Sequence, residues 1–278
     1  YPHEMRALDN GDSLERIDGR PTKDPSFGLD AIWISPEQRT EAIAAGYTVV
    51  DASAVIATHL HNLVHQAAHS LFGLDETQAL IDNLKESCPQ LAQNLTPQPY
   101  TLATVTAVCR SLLEERVPVR DFRRIAESLV ECTGHDLDQE GLVEAVRQKL
   151  GSLIIQTICP VKMPLSAITF DPELEKLLVQ SVRSAPGAAW PFDPQLSRRL
   201  IECVAEATQP LLLVARSFAI ITAPACRAAV ARLLRAQLAD VPVLSFLEIP
   251  ETKKIDIIAT VGGHEEQRGL PSPETTES

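Results

Sequence analysis

Four histidines, His59, His61, His65 and His69, are the densest group of potential ligands in the chain. The last three are spaced by four, which sets them near one face of a helix. A histidine pair of that spacing binds zinc in the metalloprotease signature, where Glu follows the first His. Here Asn62 follows His61, Gln66 follows His65, and no acidic residue lies between Val55 and Leu74. The stripe therefore reads as a polar helix face, with a metal-using enzyme as its alternative. The six cysteines are Cys88, Cys109, Cys132, Cys159, Cys203 and Cys226, never closer than 21 residues apart. They form no CxxC pair, so neither a zinc ribbon nor a redox motif is supported. Gly262-Gly263 lacks the Lys-Ser/Thr and following helix of a phosphate loop, and no GxSxG nucleophile elbow is present. The acidic pairs Glu114-Glu115 and Glu265-Glu266 read as solvated surface. No constellation supports catalysis, and neither a metal nor a cofactor is expected.

One segment suits recognition better than chemistry. Pro21 to Ser35 sets Phe27 inside the turn-forming run Asp24-Pro-Ser-Phe-Gly28. An aromatic there either plugs the edge of a core or is offered to a partner with Asp24 at its rim.

The elements that must position these residues follow from pattern. Residues 1–30 are rich in turn formers and read as short strands and loops. Ala31–Ser35 predicts a strand. Pro36–Ala45 predicts a helix with Ser35 as its cap and Gly46 as its stop. Tyr47–Val50 predicts a strand, and Asp51 caps a helix over about 54–72. From Asp75 to Leu150 the period is helical, with helices opening at Leu74, Thr101, Pro118 and Asp138. Beyond Leu153 the texture becomes α/β. Strands are expected at 167–170, 210–214, 218–222, 243–246 and 255–260, with helices after Asp171 and Asp193 and over 225–238. Beyond Gly262 the chain is polar, and a disordered tail is expected.

Composition bounds the function. The chain has 278 residues, 45% of them hydrophobic, and 25 Lys and Arg against 37 Asp and Glu leave a net charge of −12. That charge argues against general nucleic-acid binding and against adhesion to an anionic membrane. No apolar run approaches the roughly 18–20 residues that span a bilayer. The start, Tyr1-Pro-His-Glu-Met5, has neither a signal peptide nor an initiator Met, and the sequence is expected to be a fragment. Scattered cysteines at apolar positions suit a reducing cytosol.

Five ordered blocks carry a resemblance. They are Thr22-Lys-Asp-Pro-Ser-Phe-Gly-Leu-Asp-Ala-Ile-Trp-Ile34, Gly46-Tyr-Thr-Val-Val-Asp-Ala-Ser-Ala-Val-Ile-Ala-Thr-His-Leu60, Glu115-Arg-Val-Pro-Val-Arg-Asp121, Ile168-Thr-Phe-Asp-Pro-Glu-Leu-Glu175, and Val243-Leu-Ser-Phe-Leu-Glu-Ile-Pro250 with Ala259-Thr-Val-Gly-Gly263. Together they resemble the cytosolic domain of the flagellar type III export-gate (FlhA) family, whose close relatives are the injectisome export gates (SctV type). The wording of the first two blocks leans flagellar.

The resemblance implies a fold and a role. The fold is α+β with several subdomains: a small mixed α/β N-terminal part, a central helical subdomain, a C-terminal α/β sandwich and a disordered tail. On the family plan, 1–51 is a small inserted subdomain and 52–71 the returning part of a discontinuous first subdomain whose initial segment is absent. Residues 72–151 are the helical subdomain, 152–263 the α/β subdomain and 264–278 the tail. The implied role is a non-enzymatic docking platform of the flagellar protein export gate, a cytoplasmic domain of a bacterial inner-membrane protein. Implied partners are export chaperone–substrate complexes, the export ATPase complex, other export-gate components and further copies of itself in a nine-membered ring, with no nucleic acid. The alternative is the injectisome component, binding effector chaperones and a gatekeeper. The implied chaperone-binding residues are Phe27, Leu29, Val50 and Val55, which would bury an apolar anchor, with Asp24 and Thr58 hydrogen-bonding at the rim.

Overall fold

The computed structural model of the protein describes residues 4–9, 16–24, 30–213, 216–238 and 241–262. The chain divides into two compact units, Tyr1–Phe72 and Gly73–Ser278.

In the first unit, β1 (Met5–Leu8), β2 (Arg20–Lys23), β3 (Asp30–Ile34) and β4 (Thr48–Asp51) form an antiparallel sheet in the order β2-β3-β1-β4. Strand alternation sorts its two faces. Met5, Ala7, Ile32, Ile34 and Val49 join a core with Ile17, Ala42, Ala45 and Tyr47, which ties the sheet to α1 (Arg39–Ala44). The register places Arg20, Trp33, Arg6 and Val50 in one row across all four strands, out of step with that core set. A 3₁₀ turn over Pro36–Gln38 precedes α1, and the Ser35 amide donates to Gln38 Oε1 at 2.9 Å. Gly46 has φ 92°, a left-handed geometry that a side chain would strain, so the helix stops there. Asp51 then caps α2 (Ala52–Leu71), its Oδ1 accepting from the Ala54 amide at 2.6 Å. Of the residues of α2, Val55 is buried, while Ile56, Leu60, Leu63 and Val64 are exposed.

The second unit begins with five helices: α3 (Leu74–Ser87), α4 (Pro89–Leu95), α5 (Leu102–Glu114), α6 (Phe122–Glu131) and α7 (Gln139–Ile158). Thr101, Asp121 and Asp138 cap the last three with side-chain oxygens on backbone amides. The expected helix from Pro118 starts later because Asp121 supplies the cap. Helix α4 was not anticipated; Pro89 opens it at the position where a missing amide costs nothing.

An α/β layer follows, with β5 (Leu165–Phe170), α8 (Pro172–Ser184), α9 (Pro194–Leu213), β6 (Ala219–Thr222), α10 (Pro224–Arg235), β7 (Val243–Ser245) and β8 (Ile255–Val261). Its sheet is parallel, in the order β7-β6-β5-β8. Phe170, Leu178, Leu200, Val204, Ile220, Val230 and Leu234 pack in its core.

One expectation about elements is corrected. The strand expected at 210–214 is the end of α9 as far as Leu213, with Pro210 inside the helix; Val214 lies outside the described residues. A run of apolar residues has no period to distinguish strand from helix, and Pro210 lacks the amide a sheet ladder needs. The helix expected from Asp138 is α7, which passes Gly151 and ends at Ile158. A Cβ at Gly151 would lie 1.9 Å from the Glu248 carbonyl oxygen, so the residue is there for close approach of backbone to backbone. The tail expected over 264–278 lies outside the described residues.

Candidate functional site

The resemblance directs attention to the row of residues on the first sheet. Arg6 sits at its centre, opposite Trp33 on β3 and opposite Val50 on β4. Its guanidinium carbon lies 4.4 Å from the Trp33 ring centroid, a cation–π distance. Its Nη1 donates to Asp24 Oδ1 at 3.3 Å. Asp24, just beyond β2, is only 5% exposed. A guanidinium stays charged when buried, so leaving it without a counter-charge is costly, and Asp24 supplies that counter-charge.

This changes the part assigned to Asp24. Expected at a rim, it instead lies beneath the surface as the counter-ion of Arg6. Val50 is half-buried beside them, Val55 is buried in the first turn of α2, and Thr58 is exposed one turn further on. Phe27 and Leu29 lie outside the described residues. The structure thus brings Asp24 and Val50 together through Arg6, and sets Val55 and Thr58 on the helix that follows β4. Sequence reasoning missed Arg6 and Trp33. The available signal was a charged residue in the middle of the strand Met5-Arg-Ala-Leu8, which on an antiparallel sheet needs a partner.

The second unit holds the densest charge in the described structure. Arg227 on α10 is 1% exposed and pairs with three carboxylates. Its Nη1 donates to Glu115 Oε2 at 2.5 Å, its Nε to Glu144 Oε2 at 2.8 Å, and its Nε lies 3.8 Å from Glu248 Oε1. Arg147 on α7 donates to the same Glu115 oxygen and to Glu248 Oε2, both at 2.8 Å. Arg235 adds a longer contact to Glu115 at 3.6 Å. Burial pushes the Glu115 carboxyl up, but Arg227 and Arg147 outweigh it and hold the group below its ordinary value. The pair Glu114-Glu115 is therefore not a solvated surface pair: Glu115 is the hinge pin of an ionic cluster joining α5, α7, α10 and the 3₁₀ turn at Phe246–Glu248. Glu265-Glu266 lies outside the described residues.

The histidines remain on α2, where the His61 and His65 rings meet edge to face at 4.4 Å. Among the described residues, no three of His, Cys, Asp and Glu converge to hold a metal. Burial pushes the Cys109 thiol up to about 12, far from a reactive thiolate.

The fold defines a class: a mixed α+β chain of two units, one built on an antiparallel sheet and the other on helices and a parallel sheet. Residues 1–254 match the family described as the FHIPEP family, and the chain belongs to it. Over 267 residues it is 37% identical to the flagellar biosynthesis protein FlhA of Escherichia coli K12, covering 95% of this chain and 37% of that protein. The chain thus spans about 37% of the length of that curated relative. Among solved structures, the Chlamydia pneumoniae CdsV protein superposes with a TM-score of 0.81 at 23% identity, covering 94% of this chain and 76% of that one. The nonameric SctV-C of EPEC gives 0.73 at 22%, covering 93% and 78%. At those identities the two structures bear on the fold.

Proposed function

We propose that this chain is the cytoplasmic docking platform of a flagellar type III protein export gate, receiving chaperone–substrate complexes and contributing to substrate switching and flagellum assembly without catalysis. The observation that carries the reading is the 37% identity to FlhA across 95% of the chain. The platform belongs to a bacterial inner-membrane protein and assembles as a nine-membered ring, in the manner of the nonameric SctV-C. The export ATPase complex and other gate components are its further partners. Residues 1–51, 52–71, 72–151 and 152–263 act as its subdomains.

In this reading Phe27, Leu29, Val50 and Val55 bury an apolar anchor of the chaperone, and Thr58 bonds at the edge. Asp24 contributes by fixing Arg6, which stacks on the Trp33 ring on one side and lies opposite Val50 on the other. Likeness to SctV and CdsV structures favours one second reading, the homologous gate of an injectisome.

Calorimetric titration with a flagellar chaperone bound to its late substrate tests the assignment. A micromolar Kd, about −8 kcal/mol, is expected. Phe27→Ala is expected to weaken it about tenfold with thermal stability unchanged, and Asp24→Ala to weaken it with some loss of stability, because Arg6 loses its counter-ion. Binding to injectisome chaperones alone would move the protein to the sister system. Loss of stability in Phe27→Ala without loss of binding would make that ring a core plug.

A further inference from the structure

A cleft opens in the second unit between the end of α5, helix α7, the end of α10 and the segments that lead into β6 and β7. Its volume is about 460 Å³, within the roughly 300–1,000 Å³ of small-molecule sites. Val117, Ile154, Phe218 and Val243 are buried and give it an apolar floor. Arg116, Arg147, Arg216 and Arg235 line it against two acids, Glu114 and Glu115. In a chain of net charge −12, this wall is locally basic.

The charges on the wall are not equally committed. Glu115 is held by Arg147 and by Arg227 behind the wall, so its charge is answered in the interior. Glu114 is half-exposed and lies 2.9 Å from Arg235 Nη1. That nitrogen is buried and makes no hydrogen bond, because the carboxylate lies out of line with it. Arg216 pairs with Asp256 at 3.5 Å, and both side chains are about half exposed. A pair so open to water is weak, and an anion in the cleft can compete with it.

Arg116 adds an independent observation. Its φ is 57°, and among the described residues it is the one non-glycine residue with a positive φ. It closes α5: its amide donates to the Leu113 carbonyl at 3.0 Å, and the Val117 amide donates to the Leu112 carbonyl at 2.8 Å. This helix-ending position favours glycine, which adopts the left-handed region without strain. Strain of this kind gathers at ligand clamps. What the position gains for it is a guanidinium at the cleft.

We propose that this cleft binds a phosphate monoester carrying a flat apolar body. Arg116, Arg216 and Arg235 would surround the phosphate, and Val117, Ile154 and Phe218 would lie under the body. Three guanidinium forks suit the three terminal oxygens of a dianionic phosphate better than the two of a carboxylate. The cleft lies in the second unit and shares no residue with the chaperone-docking assignment at 24–58, so each can fail without the other.

Isothermal titration of the full chain with phenyl phosphate tests it. Saturable binding is expected, at least tenfold tighter than that of inorganic phosphate, which lacks the body, or of phenol, which lacks the charge. Arg116→Gly should weaken it at least tenfold while thermal unfolding stays unchanged or moves up, because glycine relieves the strained turn. Arg216→Gln, a change at an exposed side chain, should weaken it similarly without loss of stability. If Arg116→Gly unfolds earlier, that arginine supports the fold and Arg216→Gln alone decides. Absence of saturable binding would overturn the proposal, and so would binding left intact in Arg216→Gln. Inorganic phosphate bound as tightly as phenyl phosphate would show adhesion to arginines without a site for the body, with the same consequence. Binding of a phosphotyrosyl peptide but not of phenyl phosphate would make the group part of a partner protein and overturn the assignment to a small molecule.

Discussion

Glu115 shares one carboxylate between Arg227, 112 residues further along the chain, and Arg147, 32 residues along. Its native pKa is held below the ordinary glutamate value of 4.5. A depressed native pKa adds stability that is fully present above the unfolded value and disappears as the pH falls through the native one. Urea midpoints followed from pH 7 down to 3 should therefore fall more steeply for the wild type than for Glu115→Gln, and parallel slopes would show that the carboxylate is solvated. The same residue shows what sequence could not provide. Beside Glu114 it looks like half of a surface pair, because its partners are distant in the chain and only the fold brings them within reach. The candidate site behaves similarly. Val50, Val55 and Thr58, near neighbours in sequence, are joined with Asp24 only by the resemblance, as an expectation. Arg6 and Trp33 meet Val50 and Asp24 only through strand register and side-chain contact.

At the scale of elements, local grammar explains most of what was legible. Asp51, Asp121, Asp138 and Asp171 each cap the helix that follows, as an acid before a helical period should. Where grammar gave no period, at 210–214, the reading failed, because helix and strand both accept a short apolar run. Gly151 is the more telling case. In isolation it lowers helix propensity by about 1 kcal/mol relative to Ala. Against its neighbour it is required, since a Cβ would meet the backbone of Glu248. Gly151→Ala is expected to destabilise by about 1–3 kcal/mol in urea titration, the overpacking cost exceeding the propensity gain. A stabilised variant would show that α7 and the 3₁₀ turn separate easily.

Across the whole molecule, the two units differ in what holds them. The first rests on a small apolar core beneath one sheet face, with ionic and aromatic contacts on the other. In the second, the ionic cluster ties the helical part to the α/β part, and the division expected near 151 falls inside a continuous helix. Removing one member of a buried ionic group strands the others, at about 3–5 kcal/mol. Arg227→Met should therefore lower the stability of the second unit by that order. Its helical and α/β parts should then lose their common transition, followed by hydrogen exchange. A loss below 1 kcal/mol would mean that water already reaches the cluster.

The sharing of Glu115 also constrains heredity. Positions 115, 144, 147, 227 and 248 lie on four separate stretches of the chain, yet each satisfies a charge carried by another. A lineage cannot drift at one of them without leaving an unanswered ion in the interior. Viable routes pass through simultaneous replacement, or through a neutral set that fills the same space, so descendants should keep these five together or lose them together.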